Sequence, residues 1–130
     1  MLKFHIIPLY FEYIKNGKKK WEGRPVGARM VDTTKTGDVV EIWTGPNGKD
    51  ESCVLDSCII TIGQRLEFKS IEDMLEKCGV ENMLPELSGD FEALKKGIET
   101  YKNLRMTSGK SENGEMIAIE LIKNNSLLTE

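Results

Sequence analysis

The chain of 130 residues has few of the side chains that bind metals or build disulfide frameworks. It contains one histidine and three cysteines, Cys53, Cys58 and Cys78, and no two of the cysteines form a CxxC pair. A structural zinc site needs four closely spaced cysteine or histidine ligands. We therefore expect no metal and no cofactor. Because the number of cysteines is odd, at least one thiol stays unpaired in a monomer, and we expect reduced, mostly buried thiols.

Long apolar segments are also absent. No run approaches the roughly 18 residues that a membrane span requires, and the first five residues lack the apolar core of a signal peptide. The hydrophobic content of 39% and the charged content of 30% are typical of a folded soluble protein. We expect a cytoplasmic (intracellular) protein with no membrane partner, built as one domain over residues 1–123 with a flexible tail at 124–130. The sequence leaves its oligomeric state open.

The chain does have a concentrated basic segment. The overall charge is −3, but residues 15–29 carry six basic residues and one acidic residue, which gives this segment +5 and leaves −8 for the rest. A charge run of this kind is most often a solvated face. An acidic protein with one basic patch also has a local positive field, which attracts phosphate groups.

Hydrophobic periodicity and turn signals predict an α+β fold. Apolar and β-branched segments predict five strands, at residues 2–7, 18–24, 38–44, 52–65 and 115–123. Helical spacing predicts one helix from Pro8 to Gly17, one over 71–78 and one over 91–103. Short strands with a few helices indicate a small, mixed, mostly antiparallel β-barrel with the helices outside it.

Local signals refine these elements. Ser70 is a good N-cap for the second helix, and Gly79 is a plausible stop. Asn47-Gly48 predicts a tight hairpin turn with positive φ between the third and fourth strands. The third helix is predicted to bury one face, which carries Phe91, Leu94, Ile98 and Tyr101.

A pattern after the first helix links the chain to a known family. Gly17, Lys19, Glu22 and Arg24 form Gly-x-Lys-x-x-Glu-x-Arg, and a Gly-Asp pair at 37–38 precedes the third strand. In this order, with His5 and the helix before them, these residues resemble the ASCH domain, a relative of the PUA-like RNA-binding barrels. The resemblance extends over almost the whole chain and rests on a moderately specific motif.

The resemblance implies a barrel whose cleft faces RNA or a nucleoside. Some bacterial ASCH members are similar to amidohydrolases that deacetylate N4-acetylcytidine, and others resemble ribonucleases or RNA-binding modules. In the amidohydrolase branch the motif lysine, here Lys19, is the central catalytic group. That branch has a threonine where this chain has Glu22, and its second glutamate comes from a later segment in which Glu81 is the match. The departure at Glu22 brings the chain nearer the general ASCH pattern.

The residue types suggest how the motif works. Strand alternation puts Glu22 and Arg24 on one side, close enough to pair, either as a structural ion pair or as part of a site. Lys19, at the junction of helix and strand, can curl back over them. It is either a phosphate-contacting charge or, with its pKa lowered by burial and by Arg24, a base or nucleophile.

Four further side chains are candidates. Trp21 either stacks a base or packs in the core. His5 is a hydrogen-bonded core or rim residue, or lies at the edge of the cleft. Tyr10 is interpreted as helix packing and cleft wall, and Glu81 as exposed surface or as a catalytic carboxylate.

Three functions are compatible with these residues. The leading prediction is that the chain binds RNA, or a nucleotide or nucleoside, in a basic cleft with Lys19, Glu22 and Arg24 as its floor. The alternative is a hydrolase that acts on a modified nucleoside or on RNA and uses Lys19 with Glu22 or Glu81. The third is a protein-interaction module that docks through the acidic helices at 70–103.

Overall fold

The computed structural model describes residues 1–107 and 114–124, which form a five-stranded sheet with helices packed against it. The strands are β1 (Lys3–His5), β2 (Trp21–Pro25), β3 (Val39–Thr44), β4 (Asp56–Phe68) and β5 (Met116–Lys123). Their order in the sheet is β1-β3-β4-β5-β2, with β1 parallel to β3 and the other pairs antiparallel. The sheet is a half-barrel, so the predicted α+β, mostly antiparallel PUA-like barrel with flanking helices is confirmed.

The helices lie outside the sheet. They are α1 (Pro8–Lys15), α2 (Arg29–Thr33), α3 (Ile71–Cys78), α4 (Val80–Met83) and α5 (Ala93–Thr107). Short 3-10 turns occur at Glu51–Cys53 and Pro85–Leu87. Within the described ranges, no helix is both long enough and apolar enough to cross a bilayer. The tail predicted at 124–130 lies, apart from Asn124, outside the described residues.

Alternation along β5 divides the apolar residues between two cores. Ile117, Ile119 and Leu121 point to one face and pack with residues of the other strands and α1. Met116 and Ala118 point to the opposite face and pack against α3, α4 and α5. Each fully buried side chain of this size contributes about 1.5–3 kcal/mol to stability. The two cores therefore fix both the sheet and the helices that flank its last strand.

The end of α1 sets the position of the basic segment. Gly17 has φ +83°, a left-handed conformation that costs a glycine little. The Gly17 N–H donates to the Ile14 carbonyl at 3.1 Å and the Lys18 N–H to the Tyr13 carbonyl at 2.9 Å. These two bonds define a Schellman motif, which satisfies the last carbonyls of the helix and turns the chain into β2. Gly17, the first residue of the Gly-x-Lys-x-x-Glu-x-Arg motif, therefore ends helix α1.

The predicted helix signals are partly confirmed. The Ser70 hydroxyl accepts a hydrogen bond from the Asp73 N–H at 3.1 Å, and α3 ends at Gly79. Tyr101 is buried, as its place on the apolar face of α5 predicts. Phe91 is 95% exposed, so its assignment to that face is wrong. The helix begins at Ala93, and Phe91 precedes it in a turn where helical periodicity does not apply.

The connection between β3 and β4 differs from the predicted tight turn. The two strands do form an antiparallel hairpin, but residues 45–55 join them as a longer loop. Gly48 is not among the glycines with positive φ. Its lack of a side chain serves packing, because a Cβ there would lie 2.9 Å from His5 Nδ1. The strand predicted at 52–65 accordingly begins at Asp56 and runs to Phe68, and Cys53 is exposed rather than buried.

Helix α2 was not predicted, because Pro25 and Gly27 break the pattern before it. With only five residues it is too short to be stable alone. The guanidinium of Arg65, on β4, donates hydrogen bonds to the Val31 and Thr34 carbonyls at the end of α2, at 2.9 Å each. A tertiary contact, and not local propensity, thus forms this helix.

Candidate functional site

A cavity of about 670 Å³ lies between the two edge strands of the half-barrel. Its walls come from the chain just after β1, from β2, from the start of α2 and from the C-terminal half of α5. Most of the lining is apolar, but it includes four basic side chains and one carboxylate, namely Lys19, Arg24, Arg29, Arg105 and Glu22. The cavity is therefore positive although the protein as a whole carries −3.

Glu22 connects the two cations of the motif. Its Oε2 accepts a hydrogen bond from Arg24 Nε at 2.7 Å and forms an ion pair with Arg24 Nη2, also at 2.7 Å, while its Oε1 lies 3.3 Å from Lys19 Nζ. The side chain of Arg24 is 32% exposed, against 11% for Glu22 and 2% for Lys19. The alternation of β2 brings Glu22 and Arg24 to one side, and the Schellman turn returns Lys19 over them. Arg24 is thus the member of this triad that faces solvent.

Lys19 is held on every side. Its Nζ donates to the carbonyls of Trp21 at 2.8 Å and Met83 at 2.5 Å, and it faces Glu22 as its third acceptor. It also lies 5.1 Å from the centroid of the Tyr10 ring. All three N–H donors of the ammonium are therefore occupied by the protein. A phosphate has no N–H of Lys19 to bind unless one of these contacts breaks.

The charges of the triad shift one another. Burial lowers the pKa of Lys19, and the Glu22 carboxylate opposes that shift. Burial by itself raises the pKa of Glu22, but Arg24 and Lys19 outweigh it and hold that pKa below its ordinary value of 4.5. Glu22 in turn raises the pKa of Arg24. Glu22 and Arg24 are thus fixed in their charged forms at neutral pH.

Two more arginines lie on other walls of the cavity. Arg29, at the start of α2, is exposed, donates to the Lys3 carbonyl at 3.0 Å and stacks 4.6 Å over the Phe4 ring. Arg105, on α5, is buried and donates to the Glu115 carbonyl at 3.1 Å. Burial lowers the pKa of Arg105. Each arginine is oriented by a backbone carbonyl, which makes its guanidinium a fixed part of the wall.

Two tyrosines complete the lining. The Tyr10 hydroxyl donates to Glu86 in the segment after α4, and burial is the largest cause of its raised pKa. Tyr101 on α5 is 3% exposed, and burial raises its pKa well above the ordinary value. The Tyr101 hydroxyl makes no hydrogen bond to any residue in the described ranges. Both phenols therefore stay protonated at neutral pH.

Five of the seven predicted site residues line the cavity: Lys19, Glu22, Arg24, His5 and Tyr10. His5 is at the edge of the cavity, where its Nε2 donates to the Gly45 carbonyl at 3.0 Å and its ring meets the Trp43 ring edge-on at 4.7 Å. The other two residues are not brought there. Trp21 lies on the opposite side of β2 from Glu22 and packs against the core of α3–α5. Glu81 is exposed on α4, outside the lining.

Sequence reasoning did not identify Tyr101 and Arg105 as cavity residues. Arg29 entered only the charge count. Tyr101 was correctly expected to be buried, but helical spacing does not say which buried side chain borders a cavity. Glu86 lies in the same segment as Glu81 and accepts the Tyr10 hydrogen bond, and neither carboxylate is part of the lining. Within residues 1–107 and 114–124, no cluster of three or more histidine, cysteine, aspartate or glutamate side chains is arranged to hold a metal.

Comparisons with known proteins support the fold. No protein-family model matches the chain, and no curated protein does either. Among solved structures, the hypothetical protein PH0355 is 26% identical with a TM-score of 0.67, over 95% of this chain and 98% of its own. PF0455 from Pyrococcus furiosus is 26% identical with a TM-score of 0.66, over 95% and 97%. A ZmASCH mutant protein from Zymomonas mobilis is 14% identical with a TM-score of 0.53, over 92% and 65%. The fold is therefore ASCH-like.

Proposed function

We propose that this chain binds RNA, or a nucleotide derived from it, in the basic cavity. The observation that carries this proposal is the charge of the lining, with four basic side chains and one carboxylate in a protein of net charge −3. A cleft of one sign with low-dielectric walls concentrates its field and attracts oppositely charged ligands. Phosphates are the ligands that clustered arginines favour.

The dimensions and the walls of the cavity suit a nucleotide. A volume of about 670 Å³ falls within the range of about 300–1,000 Å³ for small-ligand sites. Ile7 and Leu104 are exposed at the cavity and offer apolar surface for a base, and the buried Leu84 and Met116 also border it. An extended RNA strand would then use the open side of the cavity, where Arg24 is partly exposed and Arg29 is exposed.

The members of the triad have different roles in this proposal. Arg24 contacts phosphate, because two of its nitrogens bind Glu22 while the remaining edge of its guanidinium stays partly exposed. Glu22 and Lys19 orient Arg24 rather than touch the ligand. The lysine contributes its charge and its link to Met83, since its donors are all in use.

The test is a titration of fluorescently labelled single-stranded RNA at two salt concentrations. Arg24→Ala is expected to weaken binding by about 1–3 kcal/mol, the usual cost of losing a charge-assisted contact. Wild-type affinity is expected to fall steeply as salt rises, because phosphate contacts release counterions.

Lys20→Ala is the matched control for this titration. It removes the same charge from the same basic segment, but Lys20 is exposed and lies outside the lining. It is expected to change the affinity less than twofold. Equal losses in Arg24→Ala and Lys20→Ala, or no binding by the wild type at low salt, would refute the proposal.

A second candidate function is hydrolysis of an amide or ester on a pyrimidine nucleoside. One observation favours it: Lys19 is buried, its pKa is lowered, and its Nζ lies 3.3 Å from the Glu22 carboxylate. In that reaction a neutral Lys19 would either take a proton from water that attacks the acyl carbon, or attack that carbon itself to form an acyl-lysine that water then hydrolyses. Glu22 would accept the proton of the water and pass it to the departing amine or alcohol as the acyl C–N or C–O bond breaks, so that a carboxylic acid and the nucleoside are released. Glu81 is a weaker choice, because it lies outside the cavity.

Release of acetate from N4-acetylcytidine tests this second function. Wild type is compared with Lys19→Met, which keeps the length of the side chain and removes the amine. Turnover by the wild type that is lost in Lys19→Met supports hydrolysis. Turnover that survives in the variant excludes Lys19 as the catalytic group, and no turnover by the wild type counts against hydrolysis and leaves binding as the better hypothesis.

A further inference from the structure

The Tyr101 side chain is buried at the cavity, and its hydroxyl has no hydrogen-bond partner among the described residues. Tyr101 is 3% exposed, lines the cavity and forms no hydrogen bond to a described residue. Buried phenol hydroxyls normally have a partner, because burying a hydroxyl without one costs free energy. This hydroxyl is therefore available to a molecule in the cavity.

Other neutral polar side chains of the lining do have protein partners. Tyr10 donates to Glu86, and His5 bonds the Gly45 carbonyl. Among the described lining residues, Tyr101 is thus the one neutral hydrogen-bonding side chain that stays open. Burial and the nearby Glu22 charge keep its hydroxyl protonated, so it offers both a donor and an acceptor.

The surroundings of Tyr101 indicate which part of a ligand it meets. Leu84 and Met116 pack in the same core as Tyr101, and Leu104 and Arg105 follow it on the same face of α5. An apolar wall with one neutral polar group matches the flat faces and polar edge of a nucleobase. A phosphate would instead bind the arginines, and a ribose alone would leave the apolar surface uncovered.

We propose that the Tyr101 hydroxyl hydrogen-bonds the polar edge of a single nucleobase, so that the cavity selects a base and not merely a phosphate. This inference rests on the proposed function and deepens it, because it assigns the base to the α5 wall and the phosphate to the arginines. Tyr101 is then a specificity-determining residue, and the ligand class is a nucleotide or a nucleotide unit within RNA.

The experiment compares ligands with and without a base. Dissociation constants are measured for the four ribonucleoside 5′-monophosphates and for ribose 5-phosphate, with wild type and Tyr101→Phe. The wild type is expected to bind at least one nucleotide about tenfold more tightly than ribose 5-phosphate. Tyr101→Phe is expected to lose about tenfold in affinity for that nucleotide, the effect of one hydrogen bond in a buried site, and to bind ribose 5-phosphate as the wild type does.

Two variants complete the design. Tyr13→Phe is the matched control, since Tyr13 lies on α1 outside the lining, and it is expected to change neither affinity. Arg24→Ala is expected to weaken both ligands alike, because both carry a phosphate. The melting temperature of Tyr101→Phe is expected to be no lower than that of the wild type, since the lost hydroxyl has no protein partner.

The outcomes separate the two proposals. If Tyr101→Phe binds nucleotide as tightly as wild type, or loses affinity equally for nucleotide and ribose 5-phosphate, the assignment of Tyr101 is wrong and RNA binding stands. If wild type binds RNA without preferring any nucleotide over ribose 5-phosphate, base selection alone is refuted. If wild type binds neither RNA nor nucleotide, the proposed function fails, and the inference fails with it.

Discussion

The motif beside β2 and Tyr101 on the α5 wall of the cavity differ in whether their polar groups have protein partners. On β2, Lys19, Glu22 and Arg24 bond one another or the backbone, and Lys19 has no donor left. On α5, Arg105 donates to the Glu115 carbonyl, but the hydroxyl of the buried Tyr101 side chain has no partner among the described residues. The difference shows that the charged groups of this cavity are largely paired within the protein, whereas a neutral hydroxyl on another wall is left without a protein partner. The β2 side of the cavity therefore carries charged groups held in fixed positions, and the α5 side carries a hydroxyl that can bond a ligand.

The largest expected effect comes from breaking the β2 network at its carboxylate. Glu22→Gln leaves Lys19 and Arg24 without a counter-charge in a buried position, and loss of one partner of a buried ion pair costs about 3–5 kcal/mol. We expect the free energy of unfolding, measured with urea, to fall by about 3 kcal/mol. Glu12→Gln, on the exposed side of α1, serves as control and is expected to stay within about 0.5 kcal/mol of wild type. An equal, small effect of both substitutions would mean that the network does not hold the wall.

The stability that Glu22 contributes is also expected to depend on pH. The pKa of Glu22 is lowered in the folded protein, so below its ordinary value of 4.5 the unfolded chain takes up the proton first. The stability that Glu22 contributes is therefore present above pH 4.5 and is lost as the pH falls from there through the folded pKa. We expect the difference in stability between wild type and Glu22→Gln to shrink over that range. A difference that is unchanged from pH 7 to pH 3 would contradict this.

Substituting Tyr10 and Tyr101 compares a hydroxyl that has a protein partner with one that has none. Tyr10→Phe removes a hydroxyl that donates to Glu86, and we expect it to lower the free energy of unfolding by about 1 kcal/mol. Tyr101→Phe removes a hydroxyl without a protein partner, and we expect a change below about 0.5 kcal/mol. Thermal and urea denaturation of both variants check this. A larger loss in Tyr101→Phe than in Tyr10→Phe would reverse the comparison.

The smallest effect is expected just before α5. Phe91 is 95% exposed, although it has the spacing of the buried face that Tyr101 belongs to. Phe91→Ser is therefore expected to change the free energy of unfolding by less than about 0.5 kcal/mol, as for other surface sites. Leu94→Ala is the comparison, because Leu94 packs against the core of α3–α5 and its truncation is expected to cost more. Similar costs for both would show that Phe91 has a packing role after all.

Local rules predicted the parts of the site that depend on local geometry. Gly17 ends a helix because of its backbone freedom, and alternation on β2 brings Glu22 and Arg24 together. The same alternation puts Trp21 on the other side of the strand, so a motif that is contiguous in sequence is divided between a core and a cavity.

The parts that sequence reasoning missed depend on tertiary contacts. Tyr101 and Arg105 border the cavity because of how α5 packs on β5, and α2 exists because Arg65 of β4 satisfies its carbonyls. Asn47-Gly48 does not form the expected tight turn with positive φ. Gly48 instead packs closely against the His5 ring. In each case a residue far along the chain decides the outcome.

The pairing of β2 with β5 has a consequence for the order in which the molecule assembles. Trp21 pairs with Glu120, and Lys19 donates to the Met83 carbonyl. The folded position of the basic segment therefore depends on residues that are distant in sequence. During synthesis that segment emerges early, while its partners in α4 and β5 emerge much later. Contacts of such high sequence separation form slowly, because closing a long loop costs conformational entropy before the contact can stabilise it. We therefore expect the cavity to form late in folding, because the β2 wall is completed by pairing with residues 116–123.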